Sequence, residues 1–240
     1  MNNIPIIAID GLASSGKSSI SKLLSKKLKF YFLDSGILYR SIGYIHKLES
    51  IDLNSEKGVK DIISNITLLP SKNLQFQVFY KNKDITNFLY SEEIGLQASI
   101  VSQYQSVRES LLFLQHSCVQ NPGLIANGRD MGTKVFPNAK LKIYFIADLE
   151  IRANRRHKQL LDSDVSSDLG SIKKMLRDRD NSDKDRIISP LKAADDAIII
   201  DSSNLKPDTV LDKILELYKI SEACNKWGII INAIRIWNVV

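Results

Sequence analysis

Apolar residues arrive along this chain in two rhythms. Short, nearly uninterrupted runs at Ile4 to Ile9, Phe30 to Asp34, Leu124 to Asn127, Lys140 to Ala147 and Ala197 to Asp201 predict strands buried on both faces. Between them apolar residues recur at helical spacing. Ile20, Leu23, Leu24 and Leu28 mark a helix over Ser18 to Lys29, a second helix opens at Ile37 and runs towards Leu48, and a third within Ser55 to Leu69 leads into a short strand. A long helix is predicted from Glu92 to Gln120, with Val107, Leu111, Leu112 and Leu114 on one face. Further helices follow Asp148-Leu149, cover Leu169 to Asp185, and run from Asp208 to Tyr218. One stretch departs from this alternation. Leu74 to Tyr80 alternates polar and apolar, Lys81 to Asp84 supplies turn residues, and Ile85 follows, which predicts a hairpin in a small β-containing insertion lobe. Strands alternating with helices give an α/β chain with a parallel, doubly wound sheet, right-handed at each crossover, with Lys140 to Ala147 as its central strand. No internal repeat or low-complexity tract interrupts it.

Composition narrows the class. At 240 residues, 44% apolar and 25% charged, the chain buries one large core or one core with a smaller lobe. The net charge of +6 is scattered rather than gathered into a stripe, so it argues against a nucleic-acid partner and suits a protein that handles polyphosphates. Cys118 and Cys224 are far apart and lack metal-ligand spacing, so reduced thiols are expected and neither a disulfide framework nor a zinc site. With no signal-like segment and no run near about 18 apolar residues, the expectation is a cytoplasmic chain without a membrane partner. The tail from Ser221 to Val240, with Trp227 to Ile231 and Ile236-Trp237, is too short and too interrupted by Asn232 and Arg235 to span a bilayer.

The candidate chemistry begins where the first strand ends. Gly11-Leu12-Ala13-Ser14-Ser15-Gly16-Lys17-Ser18 fits G-x-x-x-x-G-K-[ST] between a strand and a helix, the order a phosphate-binding loop requires. The glycines let successive amides point at phosphate oxygens, and the helix N-terminus adds donors and partial positive charge. Lys17 would reach the β and γ phosphates, and the hydroxyl of Ser18 or Ser19 would sit near Mg2+. Arg40 follows the carboxyl end of the second strand, where ligands of open α/β sheets bind, and is a candidate anion ligand. A second glycine-flanked turn, Gly128-Arg129-Asp130-Met131-Gly132-Thr133, carries an arginine and a carboxylate at another strand end. The helix with Arg152, Arg155, Arg156 and Lys158 reads by itself as a solvated basic face.

Taken together, IDGLASSGKSS, LDSGILYR, SVRESLL, NGRDMGTKVFP, RANRR, RDNSDKDR followed by SPL, and AIIIDSS resemble, in order, the bacterial-type cytidylate kinases of the nucleoside monophosphate kinase family. The resemblance runs from about Ile4 to Tyr218. It implies a P-loop NTPase fold with helices on both faces of the sheet, over residues 1–220, an insertion lobe near 66–104, a lid near 149–186, and an extension from 221 to 240. It also implies transfer of phosphate from ATP, with Mg2+, to CMP or dCMP, by an enzyme expected to be a monomer. Carried over by position, Ser35, Ser99, Arg108 and Asp130 would surround the cytosine, and Arg40 and Arg129 would hold the acceptor phosphate. Arg179 and Asp183 would contact the sugar, Arg186 would lie at the phosphates, and Arg155 or Arg156 would clamp ATP from the lid. The chain departs from the family pattern at Leu12 for proline, Ser14 for glycine, Tyr90 for arginine and Asn127 for an acidic residue. Two other readings stay open on the residues: a kinase of the same fold with another small acceptor, and a nucleotide-dependent, RNA-associated P-loop binding protein.

Overall fold

A computed structural model describes residues 4–162 and 165–227 of the chain, with side chains described to residue 223. In chain order the elements are β1 (Ile6–Gly11), α1 (Lys17–Leu28), β2 (Tyr31–Asp34), α2 (Ser35–Glu49), α3 (Glu56–Ser64), β3 (Ile66–Pro70), β4 (Phe76–Tyr80) and β5 (Lys83–Asp84). There follow α4 (Glu92–Val101), α5 (Gln105–Ser117), β6 (Leu124–Asn127), β7 (Leu141–Ile146), α6 (Leu149–Leu161), α7 (Leu169–Lys184), β8 (Ile198–Asp201) and α8 (Pro207–Trp227). The main sheet has five parallel strands in the order β2-β6-β1-β7-β8. β1, rather than the longer apolar run of β7, is therefore central. It pairs Ile9 with Asn127 on one side and Ile9 with Ile143 on the other.

Both faces of the sheet are covered, which is why its strands lack polar alternation. Ile7 and Ile9 join Ile20 and Leu24 of α1 and Val210, Leu211, Ile214 and Tyr218 of α8 in one cluster. Ala8, Leu33 and Ala126 point the other way, into a core shared with α2, α3, α5 and the smaller sheet. A third cluster joins Ala13 of the phosphate loop to Ala153 of α6 and to Ile172 and Leu176 of α7.

The hairpin predicted after Leu74 is part of a three-stranded antiparallel sheet, β3-β4-β5, whose longer ladder pairs Ile66 to Pro70 with Tyr80 to Phe76. The long helix predicted from Glu92 to Gln120 is two helices, α4 and α5, with a break at Ser102 to Tyr104. Tight turns close the break, with Tyr104 N donating to Val101 O, and the apolar spacing continues across it and conceals it. At the other end, α8 continues through residue 220 to Trp227. Ile229 to Ile231 and Ile236-Trp237 lie outside the described residues. Among the described residues, no helix is long and apolar enough to cross a membrane.

The tightest backbone constraint is at the start of the phosphate loop. Gly11 has φ +137°, and a Cβ there would stand 2.1 Å from the Phe145 carbonyl oxygen, beneath which Leu12 N donates to the same oxygen at 3.2 Å. Gly11→Ala must displace β1 from β7 or shift the loop. It should cost on the order of 3 kcal/mol of stability, read by urea denaturation beside the wild type.

Candidate active site

The carboxyl ends of β1, β2 and β6 open onto one cleft of about 720 Å³, at the position where open α/β sheets place their ligands. On the donor side, Ala13, Ser14, Lys17 and Ser18 line it. Gly11, Leu12, Ser15 and Gly16 complete the loop, with Ser15 Oγ donating to Leu12 O at 2.9 Å and Gly16 capping α1 at φ +90°. Ser14 also sits at φ +56°, a left-handed conformation that a side chain disfavours by about 1–2 kcal/mol, at a position where glycine would carry no such strain. Lys17 is buried and its Nζ donates to Leu12 O at 2.5 Å. Burial, with Arg129 and Arg179 nearby, pushes the Lys17 ammonium well below its ordinary pKa, so an arriving polyanion would relieve an unfavourable charge.

Two of the predicted donor contacts fall elsewhere. Ser19 is off the cleft lining, because successive helical positions diverge around the axis and of these two exposed serines only Ser18 faces the cleft. Arg155 likewise points away from the cleft, donating to Ser202 O at 2.6 Å, while Arg156 beside it lines the cleft and pairs with Glu92 of α4. Helix α6 thus braces the loop from behind. Arg152, buried, donates to Ala147 O and Ala13 O and pairs with Asp180 at 2.7 Å. Ser202 Oγ, beside Arg155, donates to Ser15 O at 2.8 Å.

The opposite wall carries the predicted acceptor residues, and all of them line the same cleft. Ser35 opens α2, whose cap is Asp34 accepting from Gly36 N at 3.2 Å. Arg40 donates to Leu89 O and Ser91 O at 2.8 and 3.0 Å, which turns it across the cleft from the loop; Tyr90 lies beside it. Ser99 comes from α4 and Arg108 from α5, so the helix break sets their relative position. Arg108 donates to Ser102 O at 3.0 Å across that break, lies over the Tyr39 ring, and forms a buried ion pair with Asp130. Arg129 Nε donates to Asp183 at 2.7 Å. Burial opposes its charge, but the Asp183 carboxylate outweighs this and holds the guanidinium above its ordinary pKa. Asp183 is itself held low: burial alone would raise it, and Arg129 and Arg186 overcome that. Arg186 donates to Asp183 O at 3.3 Å, and Arg179 is pushed down to about 10 by burial and by Arg129.

Sequence reasoning passed over Asp10, Ser102 and the bracing role of Arg152. Asp10 had a legible signal, a charge in an otherwise apolar strand. It is buried and accepts from Met131 N and Gly132 N at 2.9 and 2.7 Å. A Cβ on Gly132 would press on Lys142 and Asp10 at 3.2 and 3.4 Å.

A magnesium site can be tested on the donor set. Ser18 Oγ accepts from Asn127 Nδ2 at 2.9 Å, the Asp34 carboxylate lies on the same side of the cleft, and among the described residues the buried Asn127 Oδ1 has no partner. Among the described residues no three acidic, histidine or cysteine side chains gather as a metal cage. Such a sparse oxygen set fits Mg2+, which keeps waters and is held largely through substrate phosphates.

A phosphate loop facing an arginine-lined wall across one cleft, in a parallel α/β sheet, defines a P-loop phosphotransferase. The family model for cytidylate kinase matches residues 7–220. The cytidylate kinase of Geobacillus sp. (strain WCH70) is 38% identical over 217 residues, covering 90% of this chain and 96% of that protein. The cytidylate kinase of Azotobacter vinelandii is 39% identical over 213 residues, covering 88% and 93%. A bifunctional pantoate ligase/cytidylate kinase from Prochlorococcus marinus (MED4) is 41% identical over 224 residues, which cover 92% of this chain and 44% of that longer protein. The chain belongs to the cytidylate kinase family.

Asp10 titrates in an unusual range: burial raises its pKa from 3.8 to about 6 despite the two amides that favour its charged form. A carboxyl raised on folding contributes most below pH 4, and that contribution is lost as pH rises through 6. Measured by urea denaturation, wild-type stability relative to Asp10→Asn should therefore fall by about 2 kcal/mol between pH 4 and pH 7 and stay level above it.

Proposed function

We propose that this chain transfers the γ-phosphate of ATP to CMP or dCMP, giving ADP with CDP or dCDP. The observation that carries the reading is the meeting of Lys17, Arg40, Arg129 and Arg186 around one cleft, with the buried Arg108–Asp130 pair on its acceptor side.

Phosphoryl transfer through a loose transition state needs alignment and positive charge more than a base. The loop amides and Lys17 would take the β and γ phosphates, Lys17 exchanging its bond to Leu12 O for a phosphate oxygen. Arg156 would release Glu92 to reach the donor. Arg40 and Arg129 would hold the acceptor phosphate, their planar forks fixing its direction as well as its charge. Arg186 would lie at the phosphates, and Arg179 with Asp183 would contact the sugar. Ser18, with Asp34 near it, would hold Mg2+, which when bound neutralises charge between the β and γ phosphates. Closure of the lid and the insertion lobe would exclude water, the competing acceptor.

Base choice follows from Asp130. Arg108 occupies its Oδ2, and among the described residues no donor reaches Oδ1, which would accept from the exocyclic amine of cytosine. Uracil presents a carbonyl at that position and would meet lone-pair repulsion. Ser35 and Ser99 complete the polar surround.

Purified enzyme should turn over CMP and dCMP about 100-fold more efficiently than UMP in a coupled ADP-release assay, the scale of one well-made base contact. Equal efficiency on UMP and AMP would remove the base assignment. Lys17→Ala should lower kcat by about 10³-fold, because the lost charge acts on the transition state. Its melting temperature should stay close to wild type, since the substitution also removes the cost of a buried ammonium.

A further inference from the structure

Asp130 stands at a position where an aspartate ordinarily serves its own backbone. It precedes the short helical turn Met131–Val135, and a side chain at such a position usually accepts from the first free amides of the turn. Here it makes no such bond. Those amides, Met131 N and Gly132 N, donate instead to the two oxygens of Asp10, more than a hundred residues away on the central strand. The later amides of the turn are satisfied locally, Lys134 N by Asp130 O at 2.8 Å and Phe136 N by Met131 O at 2.7 Å. Asp10 thus takes two of the turn's first three amides, and the Asp130 carboxylate faces Arg108 and the cleft.

We propose that Asp10 is a positioning residue for base selection: by capping the turn after Asp130 from the central strand, it keeps the Asp130 carboxylate out of its local capping role and turned towards the base. The packing supports this. Gly132 lies against Asp10, where a Cβ would stand 3.4 Å from its carboxylate oxygen and 3.2 Å from the Lys142 side chain, and Gly128 N donates to Ile9 O at 2.9 Å, which pins the other end of the segment to the same strand. The β1 backbone is held by its ladders to β6 and β7, so removing the Asp10 charge leaves the phosphate loop on its strand. The Asp10 charge also acts on the Lys17 ammonium, as the last of the influences on it, so the larger effect should appear on the acceptor and a smaller one on the donor.

The inference rests on the reading of Asp130 as the base contact, so the test varies both residues in the full chain. Wild type, Asp10→Asn, Asp130→Asn and the double variant are assayed for kcat and KM with CMP, UMP and ATP, each with a thermal melt. Asp10→Asn keeps the shape but offers one acceptor and turns an NH2 towards an amide. It should raise KM for CMP and shrink the preference for CMP over UMP by about tenfold, leaving KM for ATP within about twofold of wild type. In the Asp130→Asn background the same substitution should change the preference by less than about twofold, because both changes act through one carboxylate. Wild-type preference in Asp10→Asn, equal rises in KM for CMP and ATP, or additive effects in the double variant would overturn the proposal. Full CMP preference in Asp130→Asn would instead overturn the base-contact reading and this inference with it. If Asp10→Asn does not fold, Asp10→Ser, whose hydroxyl still accepts one amide, is read in the same comparison with the same outcomes.

Discussion

The cleft is built from cations taken partly out of water, and the structure depends on how their repulsion is contained. Arg108 is paired with Asp130, Arg129 with Asp183, and Arg152 with Asp180, each carboxylate being buried. Breaking such a pair by removing one partner leaves an uncompensated buried charge, whereas the intact pair is close to neutral in its effect on folding. The carboxylates therefore do little for stability in themselves; they let guanidinium groups stand close together in fixed directions before an anion arrives. Among the described residues Lys17 and Arg179 have no such buried carboxylate at hydrogen-bond distance, and both are depressed by burial and by neighbouring arginines. A polyphosphate would supply the charge that the protein withholds from them.

The phosphate loop is held in the same economical manner, by main-chain contacts from several directions. Arg152 reaches Ala13 O from α6, and Ser202 reaches Ser15 O from the end of the edge strand. Gly11 lets the loop leave β1 against the Phe145 carbonyl. The basic helix that looks solvated in sequence spends two of its arginines, Arg152 and Arg155, on backbone carbonyls and leaves Arg156 to the cleft.

Strands and helices were readable because both faces of the sheet are buried and the helices are amphipathic, so burial writes itself into spacing. The central strand was misplaced because β1 and β7 are equally buried, and pairing order leaves no trace in apolar content. The division of α4 from α5 escaped because the break at Ser102 to Tyr104 needs neither glycine nor proline; backbone turns and the hold of Arg108 on Ser102 O maintain it. In the site, ordered motifs named the cleft-facing arginines and the loop. They could not separate Ser18 from Ser19 or Arg156 from Arg155, since neighbours in sequence differ by rotation about a helix axis. Asp10 stood out as a charge in an apolar strand, but its role escaped because its partners are amides distant in the chain, which no local motif encodes.

The floor beneath the phosphate loop comes from the opposite end of the chain: α8 packs Val210, Leu211, Ile214 and Tyr218 into the same cluster as Ile20 and Leu24 of α1. On the ribosome the loop and its helix emerge early, while the surface that backs them is still untranslated. Capture of a nucleotide is accordingly a property of the finished polypeptide, and a nascent chain lacking α8 would present the apolar underside of α1 to chaperones rather than a working pocket to its substrates.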